Sequence, residues 1–188
     1  FSNYGIFLNE IGKHKESELK LKKAISLNPK YANAYYNLAV VFIGQGNLEK
    51  AELELKKAIK LKSDFAIAHY NLGFILKDKG RFKEAESHTQ KALEFDPQLT
   101  DAYLSLSTMQ GVDKSQKWHD QLFSENILKN KNNRELVNIF FARSNIFHRK
   151  KQYEESAENL IKANNIKLRM HKSEANLLID KTKKLKIS

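Results

Sequence analysis

The sequence predicts an all-α fold in which antiparallel helix pairs stack as a solenoid. Its strongest feature is a repeat of 34 residues, which separates Gly12, Gly46 and Gly80 and is the mark of a repeat architecture. Apolar residues within each repeat recur at the three- and four-residue spacing of a helix face. The 188 residues also include only 2 Pro and 7 Gly, so few residues interrupt long helices.

Composition narrows the class of protein. Hydrophobic residues make up 41% of the chain and charged residues 29%, which is too apolar for a disordered chain and too polar for a membrane protein. No apolar run approaches the roughly 20 residues that span a bilayer. Cysteine is absent, which excludes disulfides, thiolate metal sites and a cysteine nucleophile. With no visible signal or transit segment, we expect a cytoplasmic protein.

Each of the first three repeats, over residues 1–99, is predicted to be two helices joined by a turn. The first helix of the second repeat carries an apolar face formed by Tyr35, Leu38, Ala39 and Phe42. Its second helix carries a similar face formed by Leu48, Ala51, Leu55, Ala58 and Ile59. Gly46 lies between them, where a turn needs a permissive backbone, and Pro29 and Pro97 mark the ends of second helices.

The period weakens after residue 99. A divergent fourth pair is predicted over residues 100–133, with a break at Gly111, a helix over 114–130 and a loop over 130–134. Apolar periodicity then returns and predicts a degenerate helix pair over residues 134–168. A basic helix over residues 169–188 is expected to cap the stack, because each solenoid repeat buries its face only against its neighbours.

Several columns of the repeat resemble the tetratricopeptide repeat family. They hold aromatic, small and proline residues: Phe1 and Tyr35; Gly5, Ala39 and Gly73; Ala24, Ala58 and Ala92; Pro29 and Pro97. Four residues depart from the residue types of this pattern, which indicates locally looser packing: Ser17, Ser63, His69 and Thr89. The resemblance implies a right-handed superhelix that binds a protein or an extended peptide in its concave groove without catalysis. Because Phe1 already occupies an aromatic column, we expect sequence to precede it.

In the family, the groove is lined by the first helix of each repeat. Asn3, Asn37 and Asn71 form a column there, again 34 residues apart, and an amide suits a peptide backbone because it both donates and accepts. Two interpretations are open: the amides bind a ligand, or they bond neighbouring helices. The expected lining residues are Asn3, Tyr36, Asn37, Val40, Tyr70, Asn71, Phe74, Lys77 and Ser105.

Another binding mode of the family does not fit these residues. Members that clamp the carboxylate of an acidic chain terminus use Lys, Asn and Arg in the groove. The matching positions here are Ser2, Ile6, Asn37, Ile67 and Asn71, of which only Asn37 fits. We therefore do not expect recognition of an acidic terminus by that clamp.

No residue pattern predicts catalysis, a cofactor or a metal. Gly44-Gln45-Gly46 follows no strand, so it does not read as a phosphate-binding loop. The six His lack the His-x-x-x-His spacing of a helical metal site. Glu154 and Glu155 are adjacent and point about 100° apart on a helix. We predict that these 188 residues are not an enzyme.

Basic residues are concentrated at the C-terminal end of the sequence. Residues 162–188 contain 8 basic and 2 acidic side chains. The candidate binding residues are Lys167, Arg169, Lys172, Lys181, Lys183 and Lys184. No aromatic residue interleaves them, although proteins that bind single-stranded nucleic acid usually add stacking platforms. Nucleic-acid binding is therefore the third-ranked function.

A wider resemblance supplies the second-ranked function. The segments 103–106 and 153–167 are similar to bacterial proteins in which tetratricopeptide repeats precede a sulfotransferase domain. This resemblance implies an accessory domain that positions substrates for a sulfotransferase or glycosyltransferase on the same polypeptide.

Overall fold

The computed structural model describes the backbone of residues 2–109 and 116–185, and the side chains of residues 2–109 and 117–172. These residues are helical apart from short connections, which confirms the all-α prediction for them. The helices are α1 (Ser2–Glu10), α2 (His14–Leu27), α3 (Ala32–Gly44), α4 (Leu48–Leu61), α5 (Ala66–Asp78), α6 (Phe82–Phe95), α7 (Thr100–Thr108), α8 (Gln116–Phe123), α9 (Asn133–Arg149) and α10 (Tyr153–Leu185), with a 3-10 helix at Glu125–Leu128. None of them is both long and apolar enough to cross a bilayer.

The chain divides into two compact units, with unit 1 ending at Pro97 and unit 2 beginning at Gln98. Unit 1 holds the pairs α1–α2, α3–α4 and α5–α6. A glycine in the left-handed region joins the helices of each pair, with φ +72° at Gly46. There the Asn47 N–H donates to the Phe42 carbonyl over 2.8 Å and the Gly46 N–H donates to the Ile43 carbonyl over 3.0 Å. The same bonds recur at Gly12 and Gly80, so all three predicted turns are Schellman motifs.

Small residues let the two helices of a pair approach closely. A methyl group placed on Gly73 would collide with Thr89 Oγ1 and come within 3.0 Å of the Ala85 carbonyl oxygen. In the first pair, Ser17 Oγ donates to the Gly5 carbonyl over 2.6 Å. The helix crossings therefore accommodate the polar residues Ser17 and Thr89, since each buried hydroxyl donates to a backbone carbonyl.

An ion-pair cluster ties the second pair of unit 1 to the third. Glu52 on α4 accepts hydrogen bonds from Lys56 (2.7 Å), Lys79 (2.8 Å) and Arg81 (2.8 Å). Lys79 and Arg81 flank Gly80 in the α5–α6 turn. These bonds, led by that from Lys56, lower the pKa of Glu52 to about 2, so Glu52 stays ionised at neutral pH.

Unit 2 contains the pair α9–α10, which reproduces the turn of unit 1 without a glycine. Lys151 has φ +60°, its N–H donates to the His148 carbonyl, and the Gln152 N–H donates to the Phe147 carbonyl over 2.9 Å. Ser144 and Ser156, buried at the helix crossing, bond to each other and to each other's carbonyls.

Two predicted elements of unit 2 have different boundaries. The helix expected over 114–130 ends at Phe123 in α8, and a 3-10 helix follows. Arg143 stabilises the end of α8, because its guanidinium donates to the carbonyls of Leu122 (2.9 Å) and Ser124 (3.2 Å). The loop expected over 130–134 ends earlier, because Asn132 and Glu135 form a capping box that starts α9 at Asn133. The break expected at Gly111 lies outside the described residues.

The capping helix expected over 169–188 is not a separate element. α10 runs without interruption from Tyr153 to Leu185, a length of 33 residues. The sequence from Tyr153 to Leu185 contains neither Gly nor Pro, so nothing ends the helix where the degenerate repeat pattern ends.

Candidate functional site

The predicted lining residues of unit 1 share one face of α1, α3 and α5. On α3, Tyr36 and Val40 are four residues apart and Asn37 follows Tyr36, so the three side chains point within about 100° of one another. All three are half-buried. Tyr70, Asn71 and Phe74 repeat this arrangement on α5, and Asn3 is exposed on α1. We call this surface, formed by positions 2, 3, 6, 36, 37, 40, 70, 71 and 74, the lining face.

Two of the three asparagines bond to the preceding repeat. Asn37 Nδ2 donates to Ser2 Oγ over 3.2 Å, and Asn71 Nδ2 donates to Tyr36 Oη over 3.4 Å. Both bonds cross from one repeat's first helix to that of the next. The interpretation that the amides bond neighbouring helices is therefore correct for these two residues.

These bonds also fix the direction of each amide. The Oδ1 atoms of Asn37 and Asn71 accept no hydrogen bond from the described residues. A side-chain amide oxygen has two acceptor lone pairs. The structural role of the nitrogen therefore leaves an oriented acceptor on the lining face, and the two interpretations of the column are compatible.

Apolar side chains occupy a second column of the lining face. Phe74 is 45% exposed and Ile6 is 38% exposed, with the half-buried Val40 between them in the repeat order. Tyr36 packs against Phe65, with ring centroids 5.0 Å apart. Isolated exposed apolar residues are ordinary, but these three share one column at the 34-residue period.

Tyr36 presents a neutral hydroxyl to this surface. Burial raises the pKa of Tyr36, and the hydrogen bond from Asn71 opposes that shift only in part. Because the Tyr36 oxygen accepts from Asn71, its own hydrogen is available as a donor.

Charge is nearly absent from the first helices of unit 1. The sequence of α3 contains no charged residue, that of α1 contains only Glu10, and that of α5 contains Lys77 and Asp78 at its end. Lys77 is half-buried. Lys77 lies seven residues after Tyr70, so it points within about 20° of Tyr70, one turn past Phe74. The lining face itself contains no charged residue, and Lys77 lies at its edge on α5.

Ser105 is more buried than the three asparagines that precede it in the 34-residue column. It lies on α7 in unit 2 and is 8% exposed. Its hydroxyl oxygen has no hydrogen-bond partner within the described part of the chain. The 34-residue period alone does not reveal this difference in burial.

Sequence reasoning missed two amides of unit 2 that bond like those of unit 1. Asn138 Nδ2 on α9 donates to Asp101 Oδ1 on α7 over 3.0 Å, and Asn145 Nδ2 donates to Ser107 Oγ over 3.0 Å. The bonded residues are 37 and 38 apart, rather than 35 as in unit 1. A search for interhelical amides with a tolerant period would have found them.

The basic cluster is only partly described. The exposed residues Arg169 and Lys172 lie on α10, and the Lys167 ammonium lies 5.7 Å from the centre of the Phe141 ring. The side chains of Lys181, Lys183 and Lys184 lie outside the described residues.

A histidine pair bridges α5 and α6 in place of the family's large aromatic residue. His69 Nδ1 lies 2.9 Å from His88 Nδ1, and His69 Nε2 lies 3.0 Å from the Ser63 carbonyl oxygen. Since Nε2 must donate to that carbonyl, His69 Nδ1 accepts and His88 Nδ1 donates. Burial lowers the pKa of both rings, that of His88 to about 4. Among the described residues, no three His, Cys, Asp or Glu side chains are grouped to hold a metal ion.

Comparisons with known proteins agree with this geometry. The family described as TPR repeat matches residues 8–46 and 41–80, and the family described as Tetratricopeptide repeat matches residues 66–99. No curated protein sequence matches the chain. The resemblance to the repeat region of sulfotransferase proteins is not supported by these matches.

Two solved structures share the fold. A crystal structure of MamA is 21% identical, with a TM-score of 0.64, and the match covers 92% of this chain and 99% of that one. A structure of PilF from Pseudomonas aeruginosa is 19% identical, with a TM-score of 0.66, and the match covers 87% of this chain and 73% of that one. The predicted solenoid of helix pairs is thereby confirmed as the fold class.

Proposed function

Because residues 8–99 are tetratricopeptide repeats, we propose that unit 1 binds an extended segment of a partner protein across α1, α3 and α5. The observation that carries this proposal is the pair of fixed amides. Asn37 and Asn71 each use Nδ2 to bond the preceding repeat and each keep Oδ1 for another donor.

Fixed acceptors favour binding because their orientation is established before the ligand arrives. A side chain that must be ordered on binding costs about 0.5–1.5 kcal/mol of entropy. The interhelical bonds of Asn37 and Asn71 remove part of that cost, and the apolar column beside them supplies contact area. A backbone N–H of the partner is the natural donor to each Oδ1, since every residue except proline offers one.

The two other candidate functions have less support. An accessory role beside a sulfotransferase or glycosyltransferase rested on a resemblance that the comparisons do not support. Nucleic-acid binding through Lys167, Arg169 and Lys172 would require clustered phosphate contacts, and the Lys167 ammonium instead lies over the Phe141 ring.

Site-specific photocrosslinking tests the proposal directly. A benzophenone amino acid replaces Phe74 on the lining face, or Leu53, which is 53% exposed on α4, as the control. We expect irradiation in a cell extract to attach one discrete peptide segment at position 74 and not at position 53. Equal labelling at both positions, or none at position 74, contradicts the proposal.

The amides are tested by the double variant Asn37→Ala, Asn71→Ala. We expect crosslinking at position 74 to fall at least about tenfold, equivalent to about 1.4 kcal/mol, while the helical circular dichroism is unchanged. Undiminished crosslinking in the double variant would assign the asparagines a structural role alone.

A further inference from the structure

The first helix of unit 1 exposes apolar side chains at positions that the later repeats bury. On α1, Tyr4 is 51% exposed and Phe7 is 52% exposed. Leu38 and Val41 lie 34 residues later on α3, and both are buried. α1 and α3 each pack against the second helix of their own pair, but α3 also packs against α2, the second helix of the preceding pair. The second helix of a preceding pair therefore covers these positions inside unit 1.

The opposite half of this contact is exposed on α10, which is the second helix of the pair α9–α10. Ser156 lies at the crossing with α9 as Ser17 lies at the crossing of α2 with α1. Leu21 follows Ser17 by four residues and is fully buried, and α2 is also packed against α3 of the next pair. Leu160 follows Ser156 by four residues and is 42% exposed. The face that a second helix turns toward the next pair is therefore exposed on α10.

The exposed face of α10 is apolar across about 100° of the helix circumference. Ala157, Leu160, Ile161 and Leu168 lie within this sector, and each is exposed. In α2, α4 and α6 the position of Ile161 is occupied by lysine or glutamine. A surface helix ordinarily presents polar residues to water, so the apolar face of α10 is larger than exposure to solvent explains.

Charged side chains border the two apolar faces. On the α1 side, Lys20 Nζ lies 5.7 Å from the centre of the Tyr4 ring, and Glu10 is exposed at the end of the helix. On α10, Lys167 and Lys172 lie about 20° outside the apolar sector. A lysine at such an edge can lay its methylene stem on the contact and keep its ammonium in water. The apolar side chains can therefore meet while the bordering charges stay solvated.

We infer that α10 of one copy of this chain packs against α1 of a second copy. The occupant follows from unit 1, where a second helix covers the first helix of the next pair at α2–α3 and again at α4–α5. α10 is a second helix with its covering face exposed, and α1 is a first helix with its covered face exposed. One chain thus carries both halves of a contact that it already makes twice. The lining face takes no part, so this inference is independent of the function proposed above.

The inferred interface joins two different faces, so it is heterologous. Each copy that joins leaves one α1 face and one α10 face exposed for another copy. Such an interface produces a ring or an open chain of copies rather than a two-fold dimer.

Sedimentation velocity of the full chain tests the inference. Between about 2 and 200 μM, we expect the average mass to rise from that of one chain to that of species larger than a dimer. Phe7→Asp and Leu160→Asp each place a charge in one half of the contact and should each leave the protein monomeric over this range. Leu53→Asp is the matched control, because Leu53 is 53% exposed on α4 and Leu19, 34 residues earlier, is also exposed. Leu53→Asp should assemble like the unchanged chain.

Mixing the two monomeric variants tests which faces meet. The Phe7→Asp protein keeps an intact α10 face, and the Leu160→Asp protein keeps an intact α1 face. An equimolar mixture should therefore form a dimer of one copy of each and no larger species. Circular dichroism confirms that each variant retains its helices.

Three results would overturn the inference. The first is an unchanged chain that remains monomeric at about 200 μM, where even a weak contact is populated. The second is assembly that persists in Phe7→Asp or in Leu160→Asp, which would place the contact on another surface. The third is a mixture of the two variants that stays monomeric, which would show that the α1 and α10 faces do not bind each other.

Discussion

At the scale of single residues, Lys151 occupies a left-handed turn position that glycine adopts more easily. Gly12, Gly46 and Gly80 adopt the left-handed region in unit 1, and Lys151 adopts it in unit 2 with the same two backbone bonds. The left-handed conformation costs a residue with a Cβ about 1–2 kcal/mol. The turn therefore forms because its hydrogen bonds and the packing of α9 on α10 outweigh that cost.

The variant Lys151→Gly should raise the free energy of unfolding of unit 2 by about 0.5–1 kcal/mol, since glycine removes the steric cost but adds chain entropy to the unfolded state. Urea denaturation followed by circular dichroism measures the change. Lys150→Gly is the matched control. Lys150 has φ −80°, so glycine gains nothing there and should destabilise the protein.

Gly73 is required for a different reason, the close approach of α5 to α6. The variant Gly73→Ala should lower the free energy of unfolding by about 1–3 kcal/mol, because its methyl group meets Thr89 Oγ1 and the Ala85 carbonyl. Gly44→Ala serves as the control, since its methyl group would meet only His14 Cε1 at 3.6 Å. A thermal melt in which both variants behave alike would contradict this account of the crossing.

At the scale of helices, the histidine pair makes the α5–α6 pair sensitive to acid. The pKa of His88 is lowered from 6.5 to about 4 in the folded chain, first by burial and then by His69. The unfolded chain therefore binds a proton between pH 6.5 and 4 that the folded chain does not. Stability from this pair is fully present above pH 6.5 and is lost as the pH falls toward 4.

We expect the free energy of unfolding to drop by about 1–2 kcal/mol across that interval. The double variant His69→Tyr, His88→Leu should abolish that part of the drop. Its new residues match Tyr103 and Leu122, which lie 34 positions later and are buried. Urea midpoints at pH 7 and pH 5 make the comparison. An equal loss of stability in both proteins would place the acid sensitivity elsewhere.

Glu52 on α4 bonds to residues of the next helix pair. Its substitution should therefore lower the free energy of unfolding more than the loss of a single exposed ion pair would. The variant Glu52→Gln should lower the free energy of unfolding by about 1–2 kcal/mol, because Lys79 and Arg81 lose a shared, largely buried acceptor. Glu84→Gln is the control. Glu84 pairs with Arg81 at the surface, where solvent screening leaves such pairs with little effect on stability. Denaturation at neutral pH distinguishes the two variants.

The helices of unit 1 follow from sequence because each element repeats a local rule. The turn at Gly46 needs a left-handed residue and the α5–α6 crossing needs Gly73, and both requirements appear as columns. The turn at Lys151 has no glycine, so its Schellman motif is recognised only from the backbone hydrogen bonds. The continuity of α10 was also missed, since a repeat pattern ends at residue 168 while the helix-forming sequence continues to Leu185.

The candidate site was predictable in its positions but not in its bonding. The period placed Asn37 and Asn71 in one column, yet the partners Ser2 and Tyr36 depend on how neighbouring helices pack. Ser105 follows the same period but is buried in unit 2. Its burial was not predictable, because a sequence period gives no information about the neighbouring helices.

At the scale of the whole molecule, net charge and the lining face are separated. The chain carries a net charge of +11, while α3 contains no charged residue. Crosslinking of a partner segment at position 74 should therefore change by less than about twofold between 50 and 500 mM salt, since the lining face contains no charged residue whose interactions salt would screen. A steep fall in crosslinking with salt would show that basic residues outside the lining face bind the partner.

The uncharged lining face also affects how fast a partner is found. Electrostatic steering raises association rate constants to about 10⁸–10⁹ M⁻¹s⁻¹, whereas unsteered encounters proceed at about 10⁵–10⁶ M⁻¹s⁻¹. A segment that approaches the uncharged α3 belongs to the slower regime, since α3 supplies no charge to guide collisions toward the correct orientation. Discrimination between partners then depends on how long each complex survives, and the lifetime of the bound segment becomes the quantity that selection can adjust.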